Sequence, residues 1–197
     1  IIFSFALCMG VAQAASIVQN FSTGSITPGT GSDTFSTFDV SKFDTTLGTL
    51  TKVTVSISLD SWGGYYSVEN ITSPSVAVSG TLNQGIQAWI TGTRVPEGMD
   101  TTLFAGTSKG YNLAANGDSD GIAGPAYAGR NQTGPNTADA LEGDFGMYEG
   151  SGTYAITFYS AQGSSHTANG AVRGTFESAL SEGFLTVTYD YTPVPEP

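Results

Sequence analysis

Cysteine is almost missing from this sequence. Its one cysteine, Cys8, excludes a disulfide within the chain, and iron–sulfur and Cys-based zinc sites are excluded with it. Histidine is as scarce. His166 stands alone, which removes His-rich metal sites and most acid–base constellations built on imidazole. Only six residues are basic: Lys42, Lys52, Arg94, Lys109, Arg130 and Arg173. They are scattered singly and form no stripe that could neutralise phosphates, so nucleic acid is not expected as a partner. The net charge of -11 repels anionic lipid headgroups and suits divalent cations or a solvated matrix. Charge of either sign is sparse, at 12% of residues.

What is present is apolar alternation. Hydrophobic residues make up 39% of the 197, enough for a core, and the length suits one domain. Val53, Val55, Ile57 and Leu59 point one way while Thr54, Ser56 and Ser58 point the other. A strand with that period has one buried and one wetted face. Tyr154, Ile156 and Phe158 repeat the pattern, as do Leu185, Val187, Tyr189 and Tyr191. Weaker strands are expected at 16–21, 34–39, 65–70, 75–82, 86–91, 101–105 and 171–176. Turn chemistry separates them at Pro28-Gly29, Gly63-Gly64, Pro96-Glu97-Gly98 and Asn169-Gly170. Many short strands with Gly-rich turns predict an all-β fold: a single antiparallel β-sandwich, jelly-roll-like, with long Gly/Asn/Asp-rich loops. Residues 109–150, poor in β-branched side chains, read as those loops, with one short helix near 137–144.

Both ends carry addresses. Residues 1–11 form an uncharged apolar run, and Ala12-Gln13-Ala14 follows as a small-x-small cleavage site. The expectation is a signal peptide over 1–14, beginning upstream of Ile1, and a mature chain starting at Ala15. The sandwich is then expected over 15–192, followed by Val194-Pro195-Glu196-Pro197. Consecutive prolines make that last segment a stiff, extended linker.

Val194-Pro195-Glu196-Pro197 after a terminal strand resembles the start of a PEP-CTERM sorting signal. The resemblance implies that a membrane-spanning anchor helix and a basic cluster follow, that this anchor is the contact with membrane, and that an exosortase-type sorting enzyme processes the tail. The segment Phe43-Asp44-Thr45-Thr46-Leu47-Gly48-Thr49-Leu50-Thr51-Lys52-Val53 is similar to the N-terminal signature of the choice-of-anchor E domain family. Glu69-Asn70-Ile71-Thr72 and the closing strand 185–191 match looser features of that family. It consists of exported β-sandwich proteins held at the surface by interchangeable tails, and it implies no catalytic residues.

Three constellations bear on chemistry. Asn116, Asp118 and Asp120, closed by Gly121, place oxygens at alternate positions like the front half of a calcium loop. Tyr127 stands where the bidentate Glu should be, so any calcium would be structural, helped by a distant Asp139, Glu142 or Asp144. No other cofactor is expected. Trp62, Tyr65 and Tyr66 flank Gly63-Gly64 and offer flat faces on which a sugar could stack; for these rings and for Trp89, packing in the core or capping its ends is the reading that comes first. Ser164-Ser165-His166 sets hydroxyls beside the lone histidine, but nucleophile–base pairs are spatial rather than sequential, and an exposed loop histidine is the reading that follows. No two loop carboxylates are fixed at a useful separation for glycoside hydrolysis. The sequence therefore predicts a non-catalytic protein of the cell envelope or extracellular matrix, associated with extracellular polysaccharide, with a carbohydrate-binding module as the alternative.

Overall fold

The structure is a computed structural model, and it describes residues 14–30, 33–72, 76–99, 102–115 and 122–195. The strands are β1 Ala15–Ser22, β2 Gly29–Thr30, β3 Thr34–Ser41, β4 Gly48–Asn70, β5 Val78–Thr91, β6 Leu103–Leu113, β7 Ile122–Asp139, β8 Thr153–Ala168 and β9 Val172–Pro193. A 3-10 helix, Glu142–Met147, precedes β8.

Two sheets face each other. One has the order β1-β9-β4-β7; the other runs β2-β8-β5-β6, with β3 beside β2 on the same edge of β8. Apart from the two-residue β2, every pairing is antiparallel. β1 pairs β9, β3 pairs β8, β4 pairs β7 and β5 pairs β6, so the chain is a long hairpin rolled on itself. That nesting is the jelly roll, and it answers the all-β sandwich expected from the alternation.

The alternation also locates the core. Val53, Val55, Ile57 and Leu59 of β4 lie in it with Ile86, Ala88 and Ile90 of β5 and Ile156 and Phe158 of β8. Gly183 on the inner face of β9 lets the opposing sheet come close: a Cβ there would stand 2.3 Å from the Phe158 ring.

Four expectations need correcting. Residues 109–150 are not long loops: β6 continues to Leu113 and β7 occupies 18 residues of the segment. β7 is the edge of its sheet, held to β4 from Val68↔Ile122 to Thr54↔Asp139. An edge strand is set by backbone pairing, so small side chains and prolines such as Pro125 and Pro135 are tolerated there, and no apolar rhythm marks it. Gly63-Gly64 is not a turn. Both glycines sit inside β4 at φ 69° and 65°, a left-handed pair that kinks the strand without ending it. The predicted pairs 75–82 with 86–91 and 171–176 with 185–191 are likewise single strands, β5 and β9. The short helix lies later than expected, and residues 137–139 close β7.

Candidate functional site

The outer face of the β2-β8-β5-β6 sheet carries the most developed surface feature. Register builds it in rows. Phe35 pairs Tyr159, and Tyr159 pairs Trp89, so three aromatics from β3, β8 and β5 align across the strands. Their ring centres are 5.8 Å apart for Phe35–Tyr159 and 5.5 Å for Tyr159–Trp89, the latter stacked within 6°. The next outward row is Ala161–Gln87–Phe104. After it comes a row of glycine alone, Gly163–Gly85–Gly106, and then Ser165–Asn83–Ser108.

The glycine row makes a floor. A Cβ at Gly85 or Gly106 would come within 2.6 Å or 2.5 Å of the Phe104 ring, so that ring lies on the bare backbone of two glycines. At Gly163 nothing stands within 4 Å, and the floor is open. Phe104 remains 59% exposed and Phe35 64%, unusual for rings that a folded domain could have buried. The result is a cross-strand groove of about 910 Å³. The Phe104 ring and the Gln87 amide border one side, with the Phe35–Tyr159–Trp89 row one step beyond them, and the hydroxyls and amide of Ser165, Asn83 and Ser108 border the other. None of its lining residues carries a charge. Apolar faces set beside amides and hydroxyls are what the two sides of a pyranose require: stacking for the C–H face, hydrogen bonds for the equatorial hydroxyls.

The rings singled out in the sequence are separated by the fold. Trp62 and Tyr65 both turn to the outer face of the other sheet, because the kink at Gly63-Gly64 shifts the alternation between them. Tyr66 points the opposite way and is buried, 4% exposed. The Arg130 guanidinium covers Trp62 at 4.4 Å from the ring centre. Arg130 also pairs with Asp60 at 2.6 Å and with Glu182, while Ser22 donates to Glu182 at 2.6 Å. The Ser22 hydroxyl, then Arg130, holds the Glu182 carboxyl below its ordinary range. Asp60 and Glu182 are cross-strand neighbours tied to one guanidinium, an arrangement that keeps Glu182 ionised and acceptor-only. Trp62, Tyr65 and Tyr66 thus make no common platform. The surface that does present rings was hidden from sequence reasoning because its members come from four strands.

Asn116, Asp118 and Asp120 of the calcium-like loop lie outside the described residues. Of the distant ligands considered for it, Asp139 accepts from Thr54 at 2.7 Å and pairs with Lys52 at 3.0 Å. Among the described residues no cluster of three or more His, Asp or Glu side chains could hold a metal. His166 is exposed as expected, but it sits in β8 opposite Leu82, not in a loop. Ala12 lies outside the described residues, Ala14 is exposed and Ala15 opens β1. Val194 donates its backbone N–H to Leu47 at 3.1 Å, and Pro195 follows; Glu196 and Pro197 lie outside the described residues.

No family model matches the chain, and no curated protein does. Among solved structures it is similar to turnip yellow mosaic virus, at 9% identity and a TM-score of 0.24, over 94% of this chain and 98% of that one. It is similar also to infectious bursal disease virus, Gx strain, at 9% identity and a TM-score of 0.21, over 92% of this chain and 38% of that one. For the Gt strain the values are 12%, 0.23, 98% and 41%, so this chain spans well under half of either bursal disease virus chain. Likeness at this level bears on neither function nor partner.

Proposed function

We propose that this chain is an exported, non-catalytic protein of the bacterial cell surface or extracellular matrix, and that its jelly roll holds an extended glycan across the outer faces of β8, β5 and β6. One observation carries the reading: a glycine-floored, uncharged groove with the exposed Phe104 ring on one side, the Phe35–Tyr159–Trp89 row beyond it, and hydroxyls and an amide on the other. Groove and ligand are matched in repeat. Strands lie ~4.8 Å apart, close to the length of one sugar residue in an extended β-linked chain, so successive residues meet successive strands.

Export and retention rest on the two ends. Ala12-Gln13-Ala14 supports leader cleavage before Ala15, and Val194-Pro195-Glu196-Pro197 supports processing by an exosortase-type enzyme. A domain without cysteine in its mature span needs no oxidative folding outside the cell. The domain would be displayed by its tail among polysaccharides and would grip them by its groove, with no bond made or broken.

The test is a glycan array with the folded chain and its Trp89→Ala and Tyr159→Ala variants, each checked for an unchanged thermal transition. Loss of the captured glycans in both variants supports the groove. Capture that survives both substitutions, or is lost only with Trp62→Ala, overturns it. For export, intact mass of the native protein is expected to give a mature start at Ala15, and an uncut cytoplasmic chain would refute that half.

A further inference from the structure

Around the edge of β6 from the groove, two hydrogen-bond donors meet without an acceptor. Lys109 lies on the inner face of β6, in line with Thr107 and Tyr111. Its ammonium stands 5.3 Å from the centre of the Tyr66 ring. Among the described residues the ion pairs are Lys52–Asp139, Arg130 with Asp60 and Glu182, and Arg173–Glu69; Lys109 has none. The Tyr66 hydroxyl is buried and has no hydrogen-bond partner. A buried hydroxyl left unpaired is unfavourable, so this position favours an incoming acceptor. The two donors converge on Gly124 of β7, where a Cβ would lie 3.9 Å from Tyr66 Oη and 4.0 Å from Lys109 Nζ. Gly124 has no side chain to stand over the two donors. Lys109 is exposed, whereas Tyr66 Oη is closed to solvent and is reached as the Lys109 chain over its ring moves. Both line a cleft of about 560 Å³ between β6 and β7, walled also by Phe104, Thr107, Pro125 and Tyr127.

The cleft and the groove are continuous, since Phe104, Gly106, Thr107 and Ser108 line both. A chain that crosses β8, β5 and β6 along the glycine row would reach the Lys109 side on passing the β6 edge.

We propose that this cleft is a carboxylate subsite: the Lys109 ammonium and the Tyr66 hydroxyl take the carboxylate of an acidic sugar, a hexuronate, within the glycan held by the outer-face groove. The identity of that glycan rests on the groove reading; the subsite itself rests on its own two donors. A neutral hydroxyl would leave the ammonium unmatched, and a cation would be repelled by it. Ammonium and phenol together make charge-assisted bonds to a carboxylate, about twice as strong as neutral ones. The groove, being uncharged, does not discriminate acidic from neutral sugars, so that choice falls to Lys109.

The test titrates the full chain with sodium D-glucuronate and, separately, with its uncharged methyl ester at equal ionic strength, following the side-chain NMR signals of the lysines. A saturable shift of the Lys109 signal with glucuronate and none with the ester is expected. Lys109→Gln should weaken glucuronate binding at least about fivefold, and Tyr66→Phe, which keeps the ring in the core, should weaken it less. An equal response to acid and ester, no response at all, or affinity unchanged in Lys109→Gln overturns the subsite. An inward lysine that only deters edge-to-edge association predicts that flat result. Trp89→Ala separates the two readings. It should abolish capture of the longer glycan and leave the glucuronate titration as it was. If capture survives while glucuronate still shifts Lys109, the groove fails and the subsite stands.

Discussion

The Tyr154 hydroxyl donates to the Tyr189 hydroxyl at 2.8 Å, and this bond joins β8 of one sheet to β9 of the other inside the core. The direction follows from the next link. Tyr189 gives its own proton to the Ser41 carbonyl at 2.9 Å, which can only accept, so Tyr154 must be the donor to Tyr189. The two phenols therefore form a one-way relay ending on the backbone of β3.

Removing the middle of that relay should cost more than removing its end. Tyr189→Phe leaves the buried Tyr154 hydroxyl without its acceptor and takes one of two donors from the Ser41 carbonyl, which keeps Gln19 Nε2 at 2.8 Å, and a loss of about 1–3 kcal/mol is expected. Tyr154→Phe leaves the Tyr189–Ser41 bond intact, and about 0.5–1.5 kcal/mol is expected. Urea unfolding of the two variants measures the difference, and equal losses would refute the direction of the relay.

Alkaline pH should attack the same pair. Burial is the main reason that Tyr189 is pushed up to about 12 and that Tyr154 is raised as well, since a phenolate in the core has no water around it. A folded-state pKa above the ordinary 10.0 means that the unfolded chain loses these protons first. Their contribution to stability is complete below pH 10 and is lost as pH rises toward 12 and beyond. Melting temperature followed against tyrosinate absorbance should show unfolding before these two phenols ionise. Early, reversible ionisation of all tyrosines in a folded protein would count against their burial.

Gly183 is a packing requirement rather than a turn. The Phe158 ring occupies the space its side chain would fill, so Gly183→Ala must push that ring aside. Overpacking of this kind should destabilise by about 1–3 kcal/mol. Pairing it with Phe158→Leu, which frees volume at the same spot, should give a double mutant less destabilised than the sum; strict additivity would show that the two sites do not touch.

Gly163 offers the opposite case. Nothing stands within 4 Å of where its Cβ would be, so a side chain there enters the groove without displacing protein. Gly163→Leu should leave stability within ~0.5 kcal/mol, as exposed strand substitutions do, yet abolish glycan capture. Unchanged capture by this variant would place the ligand elsewhere on the surface.

Much of the architecture was legible before the structure. Alternation in 53–59, 154–158 and 185–191 marks inner faces directly, because a strand at a core must be apolar every second residue. β7 was not legible, since its place comes from hydrogen bonds to β4 and its small side chains carry no period. Gly63-Gly64 was legible as a backbone irregularity but not as a kink within a strand, because a left-handed glycine pair serves a turn and a bulge equally well.

The site divides along the same line. By itself the sequence determined which kinds of residue were on hand to bind: aromatics, amides and a sparse set of cations, with no cysteine or histidine cluster to suggest other chemistry. Tertiary structure decided which of them meet. Phe35, Trp89 and Tyr159 are scattered through the sequence, and they form one row only because β3, β8 and β5 pair in that register. Lys109 and Tyr66 converge only because β6, the edge of one sheet, packs over β4 and its neighbour β7 in the other. Local alternation is a property of neighbours along the chain, whereas a binding face on a sheet is built across strands, and register is fixed only when the whole sandwich closes.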